Sequence, residues 1–199
     1  MFTDKIWAIG GVHTVSYVTV KKDGSEDTRP ENLTHKYTKA PSWMFWGSII
    51  DGQKGPSRFW EKAWGSIDSV KYNEHILCYI EGIFREHPEY WFIQDNAPSH
   101  RSRLTRTNLA QKGIPCIDWP AYSPDLNIIE HVWNWMKNWM QENYWQARYD
   151  VAKVPLSVLR GVIQEAWDSC PNSYIQDLFD SFPRRCQAVV EARGGLTRY

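Results

Sequence analysis

The hydrophobic patterning of this chain predicts an α/β fold built on a mixed sheet. Three observations carry that reading. β-favouring residues gather ahead of Asp51, and the later half is dominated by helical periodicity. Two short apolar runs, at residues 90–95 and 114–118, are each followed by a helical segment. Strands separated by helices are joined by right-handed crossovers and so run parallel.

Residues 6–20 read as extended chain with a turn near Gly10 and Gly11, where Val12, Val15, Val18 and Val20 supply β-branched side chains. Residues 21–41 are polar and turn-rich, and an exposed excursion is expected there. Residues 43–50 form a strand ended by Asp51-Gly52. Residues 69–86 are helical, with Ile76, Leu77, Ile80, Ile83 and Phe84 at helical spacing. A short buried strand follows at 90–95. A helix at 102–112 is closed by Gly113, a common stop residue. A further strand is expected at 114–118, then a long helix from 127 to about 144 and two more over 155–169 and 172–192.

A length of 199 residues suits one domain spanning 1–199, with about 70% of the unfolded surface buried. Twelve Trp are present, and large aromatics mostly fill cores, though some can stack on bases. No apolar run reaches the roughly 18 residues of a membrane span, and no signal-peptide pattern opens the chain. Cys78, Cys116, Cys170 and Cys186 are scattered without metal-type pairing, as reduced thiols of an intracellular protein would be. Asn32-Leu33-Thr34 matches a glycosylation acceptor by chance on that reading. Net charge is zero, which does not advertise nucleic-acid binding. The distribution says more. Arg101, Arg103, Arg106 and Lys112 lie in an acid-free run, and Arg184 to Tyr199 holds four Arg against one Glu. Either run could follow a phosphate backbone or be a solvated surface.

The densest chemical signal runs from Gln94 to Trp133. Asp95 ends an apolar run and precedes Asn96-Ala97-Pro98-Ser99-His100. Glu130 follows Tyr122-Ser123-Pro124-Asp125-Leu126-Asn127 and opens a helix, with 34 residues between the two acids. Two carboxylates on separate elements suit a divalent-metal phosphoryl-transfer site, because Mg²⁺ prefers oxygen ligands and paired metals clamp both oxygens of an in-line displacement. The plain alternatives are a turn Asp and a solvent-facing Glu. Glu130 falls on a polar stripe with Asn127, Asn134, Lys137 and Gln141, opposite an apolar face of Ile129, Val132, Trp133, Met136, Trp139 and Met140.

These strings, QDNAPSH and WPAYSPDLNIIEHVW with their interval, resemble the catalytic core of mariner-type (Tc-one/mariner) DNA transposases. Phe2-Thr3-Asp4 resembles the signature around that family's first catalytic Asp. Trp43-Met44-Phe45-Trp46-Gly47, Ser181 to Val190 and Gly194 to Tyr199 resemble further family segments. The resemblance implies an RNase H-like fold with a five-stranded mixed sheet flanked by helices and with additional C-terminal helices. It implies that Asp4, Asp95 and Glu130 are the catalytic and metal-binding acids, holding two Mg²⁺ (or Mn²⁺) ions. Asn96, His100, Asn127, Arg101 and Arg103 are candidates for supporting or DNA-contacting roles. His131 points about 100° away from Glu130 and reads as structural. Asp118 and Asp125 are extra carboxylates, the latter read as a turn or cap residue.

Two departures bear on Asp4. Lys5 stands where the family commonly has Glu, and only three residues precede Asp4, so the first strand is expected to fray. The implied reaction is cut-and-paste transposition, with nicking at transposon ends and strand transfer at TA. The family's N-terminal helix-turn-helix domain is expected to be absent, leaving weak, non-specific binding to double-stranded DNA. A homodimer, or pairing with full-length transposase, and nuclear or otherwise cytoplasmic localisation are family expectations; no membrane role is. The competing readings are a catalytically silent, domesticated remnant acting through protein contacts and a host nuclease for RNA–DNA hybrids.

Overall fold

The computed structural model describes residues 1–10, 41–120, 123, 126–145, 154–195 and 197. The expectations for residues 11–40, including the Val-rich extension and the glycosylation match, and for Asp125 lie outside the described residues.

Strands β1 (Phe2–Ile9), β2 (Ser42–Ile50) and β3 (Gln53–Phe59) form an antiparallel sheet in the order β1-β2-β3. Asp51 and Gly52 join β2 to β3 with φ of 47° and 75°. Two left-handed residues make the tight hairpin whose twist matches the strands, and Asp-Gly is a preferred pair for it. β3 was not expected from sequence. On its free edge β1 meets the later chain in parallel: Phe2 bridges Ile93, and Phe92 bridges Cys116. Thr3 N–H donates to the Ile93 carbonyl at 3.1 Å, and Ile117 N–H to the Phe92 carbonyl at 2.9 Å. The runs expected as regular strands at 90–95 and 114–118 are thus isolated parallel bridges beside the three-stranded sheet, two on the first run (Phe92 and Ile93) and one on the second (Cys116). The expected mixed sheet is met only in part: the three strands pair antiparallel, and parallel pairing is confined to these isolated bridges.

The start of β1 is not frayed. Met1 and Phe2 are buried, and the Met1 amine donates to the Trp91 carbonyl at 2.8 Å. Pairing with β2 on one side and with Ile93 on the other supplies the order that three preceding residues could not.

The helices are α1 (Ser69–His75), α2 (Leu77–Glu86), α3 (Pro98–Arg101), α4 (Arg103–Gln111), α5 (Ile129–Met140), α6 (Leu156–Ser169) and α7 (Asn172–Glu191). The helix expected over 69–86 is broken at Ile76, and α5 passes into a π-type turn at Gln141–Trp145. Asp68 caps α1 and Ser102 caps α4, each accepting a backbone N–H three residues on.

Successive strand residues face opposite sides of a sheet. On β2, Phe45 and Ile49 join α5, α6 and α7 in one core, while Met44 and Trp46 join α1, α2, Leu109 and Ile114 in another. The sheet is therefore covered on both faces. On β1 the row Phe2, Asp4, Ile6, Ala8 faces the α5 side, so Asp4 occupies a place that the pattern gives to an apolar side chain. No helix among the described residues is long and apolar enough to cross a membrane.

Candidate active site

Asp4 is 7% exposed. Its Oδ2 accepts a hydrogen bond from the Trp133 indole Nε1 at 3.3 Å. Trp133 can reach it because Gly47, the register partner of Asp4 on β2, has no side chain. A Cβ at Gly47 would stand 2.9 Å from Trp133 Cη2 and 3.1 Å from Trp167 Cη2. Burial pushes the Asp4 carboxyl up to about 7, with the neighbouring Glu130 and Asp95 carboxylates adding to the rise and the Lys5 backbone N–H opposing it. Glu130, in the first turn of α5, lies close enough to hydrogen-bond Asp4.

Asp95 sits just beyond the Ile93 bridge, with its side chain 39% exposed. Its Oδ1 faces His100 Nδ1 at 2.5 Å and accepts the Ala97 N–H at 2.9 Å. Its Oδ2 lies 3.7 Å from Lys5 Nζ. Burial alone would raise this carboxyl; the His100 hydrogen bond and charge, the Lys5 charge and the Ala97 N–H outweigh it and hold Asp95 well below the usual carboxylate range. Pro98 opens α3 at the position where its missing N–H costs nothing, and the helix buries Ser99 and His100. The His100 ring packs on Tyr72 at 4.5 Å between centroids, and Tyr72 donates to Gln94 Oε1 at 3.0 Å. That packing fixes the imidazole that grips Asp95.

Three acids from a strand, a post-bridge loop and a helix thus act electrostatically on one another at Asp4. Among the described residues, no group of three or more His, Cys, Asp or Glu is arranged to hold a metal ion as it stands. Asp95 is turned to the Lys5 ammonium and the His100 imidazole of its own chain. The donor chemistry fits a hard divalent cation, since all three groups offer carboxylate oxygen, and a cation would relieve the repulsion that adds to the rise at Asp4.

The supporting candidates separate. Asn96 Nδ2 donates to the Trp119 carbonyl at 2.8 Å and ties the loop after Asp95 to the neighbouring segment. Asn127 is buried, and its backbone carbonyl accepts the Glu130 N–H at 3.0 Å, setting the start of α5. Arg101 and Arg106 line a cavity of about 660 Å³ with Asp95, Asn96, Asp118 and Trp119, whereas Arg103 is exposed outside it. His131 turns away from Glu130, and its Nε2 accepts from Arg185 Nη1 at 2.8 Å. Sequence reasoning missed two participants. Lys5 entered only as a departure from a pattern, yet it pairs with Asp95. Trp133 read as core, and only its buried N–H reveals the second task; a Trp at helical spacing gives no sign of a polar partner 129 positions away.

Residues 27–151 match the family model described as DDE superfamily endonuclease. The chain is 33% identical over 168 residues to the transposable element Tc1 transposase of Caenorhabditis elegans, covering 79% of this chain and 55% of that protein. The chain spans about half the length of the curated relatives it matches. The Mos1 transposase paired-end complex with left transposon end superposes with a TM-score of 0.73 at 18% identity, over 98% of this chain and 55% of that one. The Mos1 transposase catalytic domain, solved with raltegravir and Mg, superposes with a TM-score of 0.64 at 19% identity, over 79% of this chain and 78% of that one. The fold held in common is RNase H-like.

Proposed function

Because the chain belongs to the DDE superfamily endonuclease family, among the mariner-type transposases, we propose that it performs metal-dependent cleavage and strand transfer of DNA. The single observation that supports this most is that Glu130 and Asp95, from two other elements, add their charge to the rise that burial imposes on Asp4. Asp4, Asp95 and Glu130 would hold two Mg²⁺ or Mn²⁺ ions. Bound there, these supply Lewis-acid charge to the phosphodiester and favour deprotonation of an attacking water or 3′-hydroxyl. The chain's own contribution is position and charge. The Trp133 N–H orients Asp4, and Asp4 gives up its proton when positive charge arrives. His100 holds one oxygen of Asp95 in place, and the long Lys5 contact leaves the other oxygen exchangeable. Asn127 sets the helix turn that presents Glu130. The bridged segments at Ile93 and Cys116 are read as the fourth and fifth strands of a five-stranded sheet.

The substrate is proposed to be double-stranded DNA, bound weakly and without sequence choice by these residues alone, with integration at TA. The paired-end Mos1 complex supports a homodimer as the working form. Action on chromosomal DNA implies the nucleus. The test is nicking of supercoiled plasmid by the purified chain in Mn²⁺ or Mg²⁺, beside Asp95→Asn. Nicking that disappears in the variant is expected. A folded protein that does not nick, or a variant that nicks equally well, would leave the silent-remnant reading in its place.

A further inference from the structure

A second cleft lies on the other face of β1 from Asp4. Lys5 and Trp7 alternate with Asp4 and so point to the α1 side of the sheet. With Trp43, Met44, Trp60 and Lys62 they line a cavity of about 580 Å³, within the range that holds small organic ligands. Two features set it apart from ordinary surface. The Trp7 indole is 58% exposed, although a large aromatic in a strand is normally covered. Among the described residues its lining also carries two lysines, of which Lys5 contacts Asp95 as well, and no acid. Lys62 Nζ stands 5.6 Å above the Trp43 ring, a cation held over an aromatic wall. The cleft adjoins Asp4: Lys5, Met44, Trp60 and Ile67 also line a narrow crevice that includes Asp4 and His100.

We propose that this cleft takes an unpaired nucleotide of the DNA strand entering the acid site, its base stacked on Trp7 and its phosphate met by Lys5 and Lys62. An exposed aromatic beside paired cations is the arrangement by which proteins hold single strands without reading sequence. A duplex end would then present an unpaired base to the cleft while its backbone approaches Asp4 and Asp95. The proposal rests on the DNA-processing reading above, and its occupant is fixed by charge: an anionic backbone suits two lysines, and a flat base suits an open indole.

The test compares fluorescence anisotropy of two labelled duplexes, one blunt and one with a four-nucleotide single-stranded overhang, in EDTA so that neither is cut. The wild-type chain is expected to prefer the overhang. Trp7→Ala should weaken overhang binding by about 5- to 150-fold, the range for losing one stacked base, and leave blunt-duplex binding unchanged. Trp7→Phe should restore most of it, and Lys62→Glu should lower it through the same cleft. Trp91→Ala removes an equally exposed indole outside the cleft and should have no effect. Equal binding of both duplexes, or an unchanged Trp7→Ala, would overturn the cleft and leave the DNA-processing reading standing. Binding of neither duplex would overturn both. A concentration-dependent dimer in sedimentation that Trp7→Ala abolishes would assign this face to a second copy of the chain and overturn the proposal.

Discussion

Asp4 lies on a strand hydrogen-bonded along both edges, buried against α5, with an indole N–H and another carboxylate as its polar neighbours. Asp95 lies on a loop beyond a single bridge, half-buried, with an imidazole and an ammonium beside it. The same side chain is therefore driven in opposite directions: Asp4 tends to keep its proton near neutrality, and Asp95 is ionised throughout the ordinary range. The difference teaches how a site of mutually repelling acids can fold without its cation. One acid is rigid and neutralised by a proton; the other is charged and neutralised by Lys5 and His100. A metal would have to replace both arrangements at once.

The largest expected effect tests whether both corners serve one reaction. Asp4→Asn, Asp95→Asn and Glu130→Gln should each lower Mn²⁺-dependent nicking by at least about 1,000-fold, since each removes charge from a shared electrostatic site. A variant retaining most activity would remove its residue from the triad.

Stability without metal should separate the two aspartates. For Asp4 the folded pKa of about 7 lies above the ordinary value of 3.8. The folded state then binds the extra proton, so stability falls as pH rises from about 4 to about 7. The full shift corresponds to on the order of 4 kcal/mol. Asp4→Asn should accordingly raise the metal-free Tm at pH 8 by roughly 10 °C and flatten that pH dependence. Asp95 has the opposite sign. Its folded pKa is depressed, so its contribution is present above the unfolded value and lost as pH falls below about 4. Asp95→Asn should lower the Tm at pH 8. Thermal melts of the three proteins across pH would show either two opposed slopes or none.

A smaller effect isolates the grip on Asp95. His100→Ala frees Oδ1, and Mn²⁺ affinity should fall by about 10- to 100-fold, as when the residue that orients a metal ligand is removed. Unchanged affinity would mean that Lys5 and the Ala97 N–H suffice. The smallest effect concerns the floor under Asp4. Gly47→Ala places a methyl group against Trp133 and should cost about 1–3 kcal/mol, read as a drop in Tm of several degrees. No change in Tm would show that the indole moves freely and does not position Asp4.

Much of this was legible in the sequence because the acids sit in strings with a fixed interval and each follows a Pro-marked or strand-ending signal. The longer helices were legible by period, apart from the break at Ile76, where the apolar spacing runs straight through; the four-residue α3 was not expected. β3 was not legible. Gln53-Lys54-Gly55-Pro56-Ser57-Arg58-Phe59 lacks alternation and contains both Gly and Pro, as an edge strand can; only the preceding Asp-Gly marks the hairpin. The runs at 90–95 and 114–118 were expected as strands from their apolar content, but the first contributes two isolated bridges and the second one. The fraying expected at Met1 did not occur, because its order comes from Ile93 and Ile49, far away in sequence. The ties between Lys5 and Asp95 and between Trp133 and Asp4 were hidden for the same reason.

The central claim is that Asp4 and Asp95 would give up a proton and their contacts with Lys5 and His100 on binding a divalent ion. Isothermal titration of Mn²⁺ at pH 6.5, repeated in two buffers of different ionisation enthalpy, measures the protons released on binding. The account predicts net proton release from the wild-type chain and little or none from Asp4→Asn. Binding with no proton release, or no binding of Mn²⁺ by the folded chain, would contradict it.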